Sequence, residues 1–211
     1  MVDHSLTALS QIEKLDHGRL DLILDNFGTE MVFDLLLVDA LLAQNSRLSL
    51  RLHVKPHPCF VSDALAADLA EATRWLKSES PLWARPAAER LEQAKRAGRL
   101  QVATHFYWAS PNPAWEAPQD LWADLAESVF LISKGDVNYR RWLGDARWPD
   151  TTSLNEIIDP PAPLLLLRVM KSDVVAGLGS EQANELFKRD PAWQVNGQWG
   201  LIQFVQSRTE N

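Results

Sequence analysis

The chain alternates short apolar runs with longer stretches in which apolar residues recur at helical spacing. Arg19 to Asp25 carries Leu20, Leu22, Ile23 and Leu24 with little polar face, the pattern of a strand buried on both sides. Gly28 to Ala43 follows, with Val32, Leu35, Leu36, Val38 and Leu42 marking a helix. Ser49 to Val54 reads as a second strand, after which Pro56 and Pro58 force an extended loop. Ser62 or Asp63 is placed to cap a helix through Leu65, Leu69, Ala72 and Leu76. Pro86 to Ala97 predicts another helix, stopped by Gly98, and Leu100 to Thr104 a strand. His105 to Pro118 holds Pro111, Pro113 and Pro118 and excludes a regular helix. Beyond it, the pattern predicts a helix over Asp120 to Glu127, a strand over Val129 to Ser133 and a helix over Gly135 to Leu143. A helical turn over Ser153 to Ile158, β runs at Leu164 to Val169 and Val174 to Leu178, a helix over Glu181 to Lys188 and a strand over Leu201 to Val205 complete it. Residues 1–17 are weakly patterned and read as a short N-terminal extension. Strands alternating with helices predict an α/β fold, a three-layer α/β/α sandwich on a mostly parallel sheet.

Polar residues gather where the apolar runs stop. In an open α/β sheet the carboxyl ends of the strands share an edge, and ligands bind there. The first run ends in Asp25-Asn26 before Gly28, the second in Lys55-Pro56-His57-Pro58 and Asp63, and the third in Lys134-Gly135-Asp136-Val137-Asn138-Tyr139-Arg140. Oxygen ligands together with positive groups point to metal-assisted chemistry on a phosphate.

Composition narrows the partners. The 211 residues suit one ordinary domain. A formal net charge of -7 argues against a general nucleic-acid or anionic-membrane binder, although a local cluster of Lys and Arg can still take a small anion. Cys59 is alone, so an internal disulfide is excluded, and a reducing, cytoplasmic setting is the simplest expectation. No apolar run is long enough to span a bilayer, and Met1 to Gln11 lacks a signal-peptide pattern.

Each candidate has an ordinary structural alternative. Asp25 and Asn26 could cap the following helix, but two adjacent caps are redundant, which favours ligation of Mg²⁺ or Mn²⁺ by a carboxylate and an amide oxygen. Asp63 could be a cap or a further ligand. Lys55 is a solvated lysine or a phosphate contact. His53 and His57 lack the helical spacing of a zinc pair. Gly135 permits a tight strand-to-helix turn whose N–H groups attract anions, Asn138 donates hydrogen bonds, and Arg140 can hold two phosphate oxygens; the alternative is a charged surface helix. Glu30 could be a solvated first-turn glutamate. Lys171, after the apolar run Leu164 to Leu167, is placed to neutralise a phosphate.

Four stretches together resemble the metal-dependent damage-control phosphatase family, in its acidic residue methyltransferase-like subfamily. They are Leu-Asp-Asn-x-Gly-x-Glu at 24–30, Lys-Pro-x-Pro-x-Phe-Val-Ser-Asp at 55–63, Lys-Gly-Asp-x-Asn-Tyr-Arg at 134–140 and Arg-x-x-Lys at 168–171. The likeness runs from about residue 17 to about residue 206. It implies a Rossmann-like catalytic domain with a divalent metal, Mn²⁺ or alternatively Co²⁺, Ni²⁺ or Mg²⁺. Carried over by motif, Asp25, Asn26 and Asp63 are the expected metal ligands. Glu30, Asp136, Asn138, Tyr139, Arg140 and Lys171 are the expected substrate-binding residues, and Asp25, Asp63 and Asp136 the expected catalytic carboxylates. The implied reaction is hydrolysis of phosphate monoesters of small metabolites, with sugar phosphates such as fructose phosphates as substrates. The competing expectations are S-adenosylmethionine-dependent protein-carboxyl methyl transfer, which the absence of a Gly-x-Gly-type loop disfavours, and a non-catalytic metal and phosphate-binding module.

Two departures from the family pattern stand out. Val169 replaces the threonine of the subfamily's Arg-Thr-x-Lys motif. Relatives also carry a helical domain ahead of the catalytic one, whereas fewer than twenty residues precede the likeness here. The expectation is therefore a 1–17 extension followed by a single catalytic domain over 18–211, without that helical domain. An aromatic surface on the 105–118 loop, Trp108 and Trp115 with Phe106 and Tyr107, should then be partly exposed. Self-association or a separate helical partner would bury it.

Overall fold

The structure, a computed structural model, describes residues 1–208. In chain order its first elements are α1 (Ser5–Glu13), β1 (Gly18–Ile23), α2 (Thr29–Gln44), β2 (Leu48–Val54), α3 (Ala66–Ser78), α4 (Arg85–Arg96) and β3 (Leu100–Thr104). The later ones are α5 (Gln119–Ala126), β4 (Ser128–Lys134), α6 (Asp136–Trp142), α7 (Leu154–Ile157), β5 (Leu164–Val169), α8 (Ser180–Arg189) and β6 (Gly200–Val205). They form an α/β fold whose strands are mostly parallel. The chain divides into two compact units, one of residues 15–110 and the other of residues 1–14 with the chain from Pro111 onward.

In the first unit β1, β2 and β3 run parallel in the order β3-β2-β1, with Leu20 beside Leu50, Leu22 beside Leu52, and Leu50 beside Leu100. All five of these leucines are buried. Each such side chain stabilises the fold by roughly 1.5–3 kcal/mol relative to its exposed state. The helix α2 buries Met31, Leu35, Val38 and Leu42, spaced at one helical face, and packs with α3 and α4. Asp39 of α2 is also buried and takes a bidentate hydrogen bond from Arg90 of α4, at 2.8 and 2.5 Å.

In the second unit β4 and β5 are parallel and β6 returns antiparallel along β5. Residues 1–17 hold more structure than their pattern suggests. Asp3 bridges Ile202 of β6, the Ile202 N–H donates to the Val2 carbonyl, and α1 follows. The helix is short and buries only Ala8 and Ile12, so its periodicity is faint in the sequence.

The β run expected at Val174 to Leu178 is not a strand. Its residues are mostly buried, but their backbone groups bond to loops and side chains: Gly177 N–H donates to Thr152, Leu178 N–H to Asp150, and the Ala176 carbonyl accepts from Gln203. Nor does Ser62 or Asp63 cap α3. The cap position is Leu65, whose N–H donates to the Asp68 carboxylate at 2.8 Å. The 105–118 segment forms two 3-10 turns, Phe106–Ala109 and Ala114–Glu116. Tyr107 and Trp108 depart from the expected exposure: both are buried, Trp108 edge-on to His53, while Phe106 and Trp115 are exposed. Among the described residues no helix is long and apolar enough to cross a membrane.

Candidate functional site

Backbone hydrogen bonds zip the proline loop onto the end of β1. Leu24 N–H donates to His53, Ala64 N–H to Asp25, Lys55 N–H to Ala64, and Phe27 N–H to Ser62. Asn26 and Asp63 form an antiparallel bridge. Gly28 then turns the chain into α2 with φ 79, a conformation that strains any residue carrying a Cβ. This zipper fixes the starting points of the Asp25, Lys55 and Asp63 side chains.

All three side chains are buried and converge. The Lys55 ammonium lies 3.4 Å from Asp25 Oδ1 and donates a short hydrogen bond to Asp63 Oδ1. Asp63 Oδ2 accepts the N–H groups of Cys59 and Phe60 at 2.7 and 2.8 Å. The Asn26 amide nitrogen bridges Asp25 Oδ2 and Glu30 Oε2, each at 3.0 Å, and its carbonyl oxygen accepts from the Ser62 hydroxyl. Asp25, Asn26, Glu30, Lys55 and Asp63 thus form one cluster. It contains three carboxylates and one ammonium, an excess of negative charge in a largely buried place.

The capping alternatives fail at this point. The cap position of α2 is Gly28, with no side-chain hydrogen bond to the first turn. Asp63 spends one oxygen on N–H groups that precede it in the loop. The two aspartates also differ in proton affinity. Burial is the largest influence on Asp25 and pushes its carboxyl up; Glu30 and Asp63 add to this, and Lys55 offsets only part. Burial acts on Asp63 too, but the Lys55 hydrogen bond and the Phe60 and Cys59 N–H groups outweigh it and hold that carboxyl low.

The second unit holds a basic arrangement. Gly135 turns β4 into α6 with φ 88. Asp136, the first residue of α6, is buried, and its Oδ1 accepts from Arg168 Nε at 2.8 Å, from the Ser172 hydroxyl at 3.2 Å and from the Lys171 N–H at 3.3 Å. Asp136 therefore ties down the turn that carries Lys171, whose side chain is exposed and makes no hydrogen bond or ion pair within the described residues. Asn138 is buried, donating to the Lys134 carbonyl and accepting from Arg141. The Tyr139 hydroxyl donates to Gln203 Oε1 at 2.9 Å, and burial pushes its ionisation up. Arg140 pairs with Asp145 at 2.7 and 2.8 Å on the surface.

Three arrangements could not be read from the sequence, although Lys55 and Arg168 stand in the quoted motifs. Lys55 has the composition of a loop lysine, and only the convergence of two strand ends reveals its partners. Arg168 stands inside an apolar run yet donates to Asp136, to the Ser172 carbonyl and hydroxyl, and to Val174, with its guanidinium 4.2 Å over the Tyr139 ring. Asp21 and His53 form a buried pair, His53 Nε2 to Asp21 Oδ2 at 3.0 Å, with Arg19 Nε adding 2.7 Å to Oδ1. The available clue was an aspartate inside a buried strand, two residues from an arginine on the same face.

Comparison with known proteins gives a consistent result. The family model described as the damage-control phosphatase ARMT1-like domain matches residues 1–186. Damage-control phosphatase ARMT1 of Danio rerio is 32% identical over 206 residues, covering 95% of this chain and 46% of that protein. The Mus musculus protein of the same name is 34% identical over 191 residues, covering 88% and 44%. The Homo sapiens protein is 30% identical over 197 residues, covering 91% and 45%. The chain thus spans a little under half the length of these relatives. A solved DUF89 family protein from Pyrococcus horikoshii aligns with a TM-score of 0.49 at 15% identity, over 88% of this chain and 48% of that one.

Proposed function

The chain belongs to the damage-control phosphatase ARMT1-like domain family, and from that premise we propose that it hydrolyses phosphate monoesters of small metabolites with the help of a divalent metal. The observation that carries this reading is the convergence of Asp25 and Asp63 on a single cation. Their oxygens reach one ammonium, so they can reach one ion. The donor set is all oxygen, which suits Mn²⁺ or Mg²⁺ better than zinc. Glu30 leaves the cluster more negative than Lys55 neutralises, and a divalent ion would correct that excess. Asp25 and Asp63 would hold the metal, joined by Asn26 once its amide turns its oxygen inward. When bound, such an ion supplies Lewis-acid stabilisation of phosphoryl oxygens and a more acidic water.

The protein's own groups divide the remaining work. Lys171 offers an unspent positive charge to the phosphate, and Asp136 with Arg168 holds its turn in place. Arg140 adds a two-pronged donor on leaving Asp145. Asn138 keeps the start of α6 in shape through Lys134 and Arg141. Tyr139 supports the Arg168 guanidinium from below. Water attacks phosphorus in line as the bond from phosphorus to the ester oxygen breaks; Asp63 or Asp136 accepts the water's proton, and the departing oxygen leaves as the alcohol by taking up a proton. Sugar phosphates such as fructose phosphates are the proposed substrates, and Mn²⁺ the proposed metal. The test is phosphate release from fructose phosphates by the purified chain with Mn²⁺, Co²⁺, Ni²⁺ or Mg²⁺ and with EDTA. Turnover with metal and its loss in EDTA are expected. Turnover that EDTA leaves untouched, or no phosphate release with any ion, would overturn the reading.

A further inference from the structure

Lys55 has no task in the chemistry above, yet its placement is unusual. Lysine is almost never fully buried without a partner, and this one is buried with two carboxylates. Its ammonium lies at Asp25 Oδ1 and Asp63 Oδ1, the same oxygens that the metal reading requires. Two buried carboxylates without a counter-charge repel, and each would move or take up a proton. The Lys55 backbone is pinned by its N–H to Ala64, whose own N–H binds Asp25. The side chain beyond it is a flexible four-carbon stem ending in a compact charge.

We propose that Lys55 is a built-in counter-ion: it holds the Asp25 and Asp63 carboxylates together while no metal is bound, and the arriving divalent ion displaces its ammonium. The inference rests on the metal reading of the same cluster and adds a cost to it. The lysine stabilises the metal-free chain and weakens metal binding, because the ion must evict a charge of its own sign. A neutral residue at position 55 reverses both effects. A purely scaffolding lysine would not, since its loss would loosen the carboxylates and weaken the metal as well.

The experiment compares the full chain with Lys55→Met, Lys55→Gln and the double variant Lys55→Met/Asp25→Asn. The probe is Mn²⁺ alone, read by calorimetric titration and by thermal unfolding with Mn²⁺ or EDTA. In EDTA, Lys55→Met should lower Tm by roughly 5 °C or more, and the double variant should recover part of that loss because one repelling charge is gone. With Mn²⁺, both single variants should bind at least about tenfold tighter than wild type and show a larger rise in Tm. Lys55→Gln keeps a hydrogen-bond donor without charge, so it carries the comparison if Lys55→Met does not fold. Equal or weaker Mn²⁺ binding by the neutral variants, beside a wild type that binds, would overturn the proposal and leave the metal reading standing. No Mn²⁺ binding by any of the proteins would overturn the metal reading and the proposal with it.

Discussion

Two buried aspartates, four residues apart in sequence, meet opposite surroundings. Asp21 lies inside β1, where His53 and Arg19 both reach its carboxylate. Asp25 lies just beyond the end of the same strand, where one lysine is shared with Asp63 and Glu30 stands close by. Burial pushes both carboxyls up. At Asp21 the His53 hydrogen bond and charge, with Arg19, outweigh it and hold the carboxyl low; at Asp25 they are missing and the carboxyl stays raised. Inside the sheet, neighbouring strands can answer a charge on every side. At the strand end the chain leaves the ladder, and Lys55 and Asn26 answer the charge only in part. The first aspartate has its charge answered within the sheet, and the second keeps the raised proton affinity that the proposed metal would relieve.

The largest expected effect breaks the second half of that comparison. Asp25→Ala deletes a proposed metal ligand and should lower the proposed phosphatase activity by at least the ~10–100-fold seen when mere supporting partners of a metal are lost. Its stability in EDTA should fall little, because a carboxylate with raised proton affinity is a cost to the metal-free fold. Full turnover at unchanged metal dependence would remove Asp25 from the site. Asp21→Asn should do the reverse. It leaves His53 and Arg19 facing a neutral amide, and urea unfolding at pH 7 should show a loss of about 3–5 kcal/mol, with metal affinity unchanged. The pH dependence has a definite sign. Asp21 is held below its ordinary value of 3.8, so its contribution is complete above about pH 4. It disappears as pH falls through the lowered value. The stability gap between wild type and Asp21→Asn should therefore narrow below pH 4, and a gap that stayed constant would refute the assignment.

The same contrast explains what could be read from the sequence. Strand ends were legible because apolar runs stop sharply at Asp25, Lys55 and Lys134. The parallel α/β character followed from the alternation of such runs with helical periods. Asp25, Asn26, Glu30 and Asp63 were legible as a motif, and the structure brings them together. Lys55 was legible as a motif residue, but its pairing with Asp25 and Asp63 was not, because that arises from a hydrogen-bonded zipper between residues thirty apart. Val174 to Leu178 misled because burial alone selects apolar residues, whereas a strand also needs a neighbouring ladder. Trp108 misled for a related reason: prolines nearby signalled an irregular loop, yet a 3-10 turn presses its ring against His53. Irregular backbone and buried side chain are compatible, and sequence patterning reads only the first.

A smaller effect tests the basic arrangement of the second unit. Lys171→Ala should lower kcat/KM about tenfold or more, the equivalent of a charge-assisted hydrogen bond worth roughly 1.5–3 kcal/mol. Mn²⁺ affinity and thermal stability should stay near wild type, since the Lys171 side chain is exposed and without a hydrogen bond within the described residues. Wild-type kinetics in this variant would move the phosphate contact elsewhere.

The smallest effect concerns Arg140, which is already engaged. Its guanidinium is paired with Asp145, and both side chains are substantially exposed. Exposed pairs contribute only about 0–1 kcal/mol, so the arginine can exchange Asp145 for a phosphate at little cost. Asp145 itself adopts φ 52, a conformation that asparagine tolerates well. Asp145→Asn therefore removes the competing charge without adding backbone strain. Thermal stability should change by less than about 1 kcal/mol. If Arg140 clamps the substrate, KM should fall two- to threefold, roughly, while Arg140→Ala raises it and leaves kcat nearly constant. An unchanged KM in both variants would show that the pair is only a surface ornament of α6, and that Lys171 carries the anion alone.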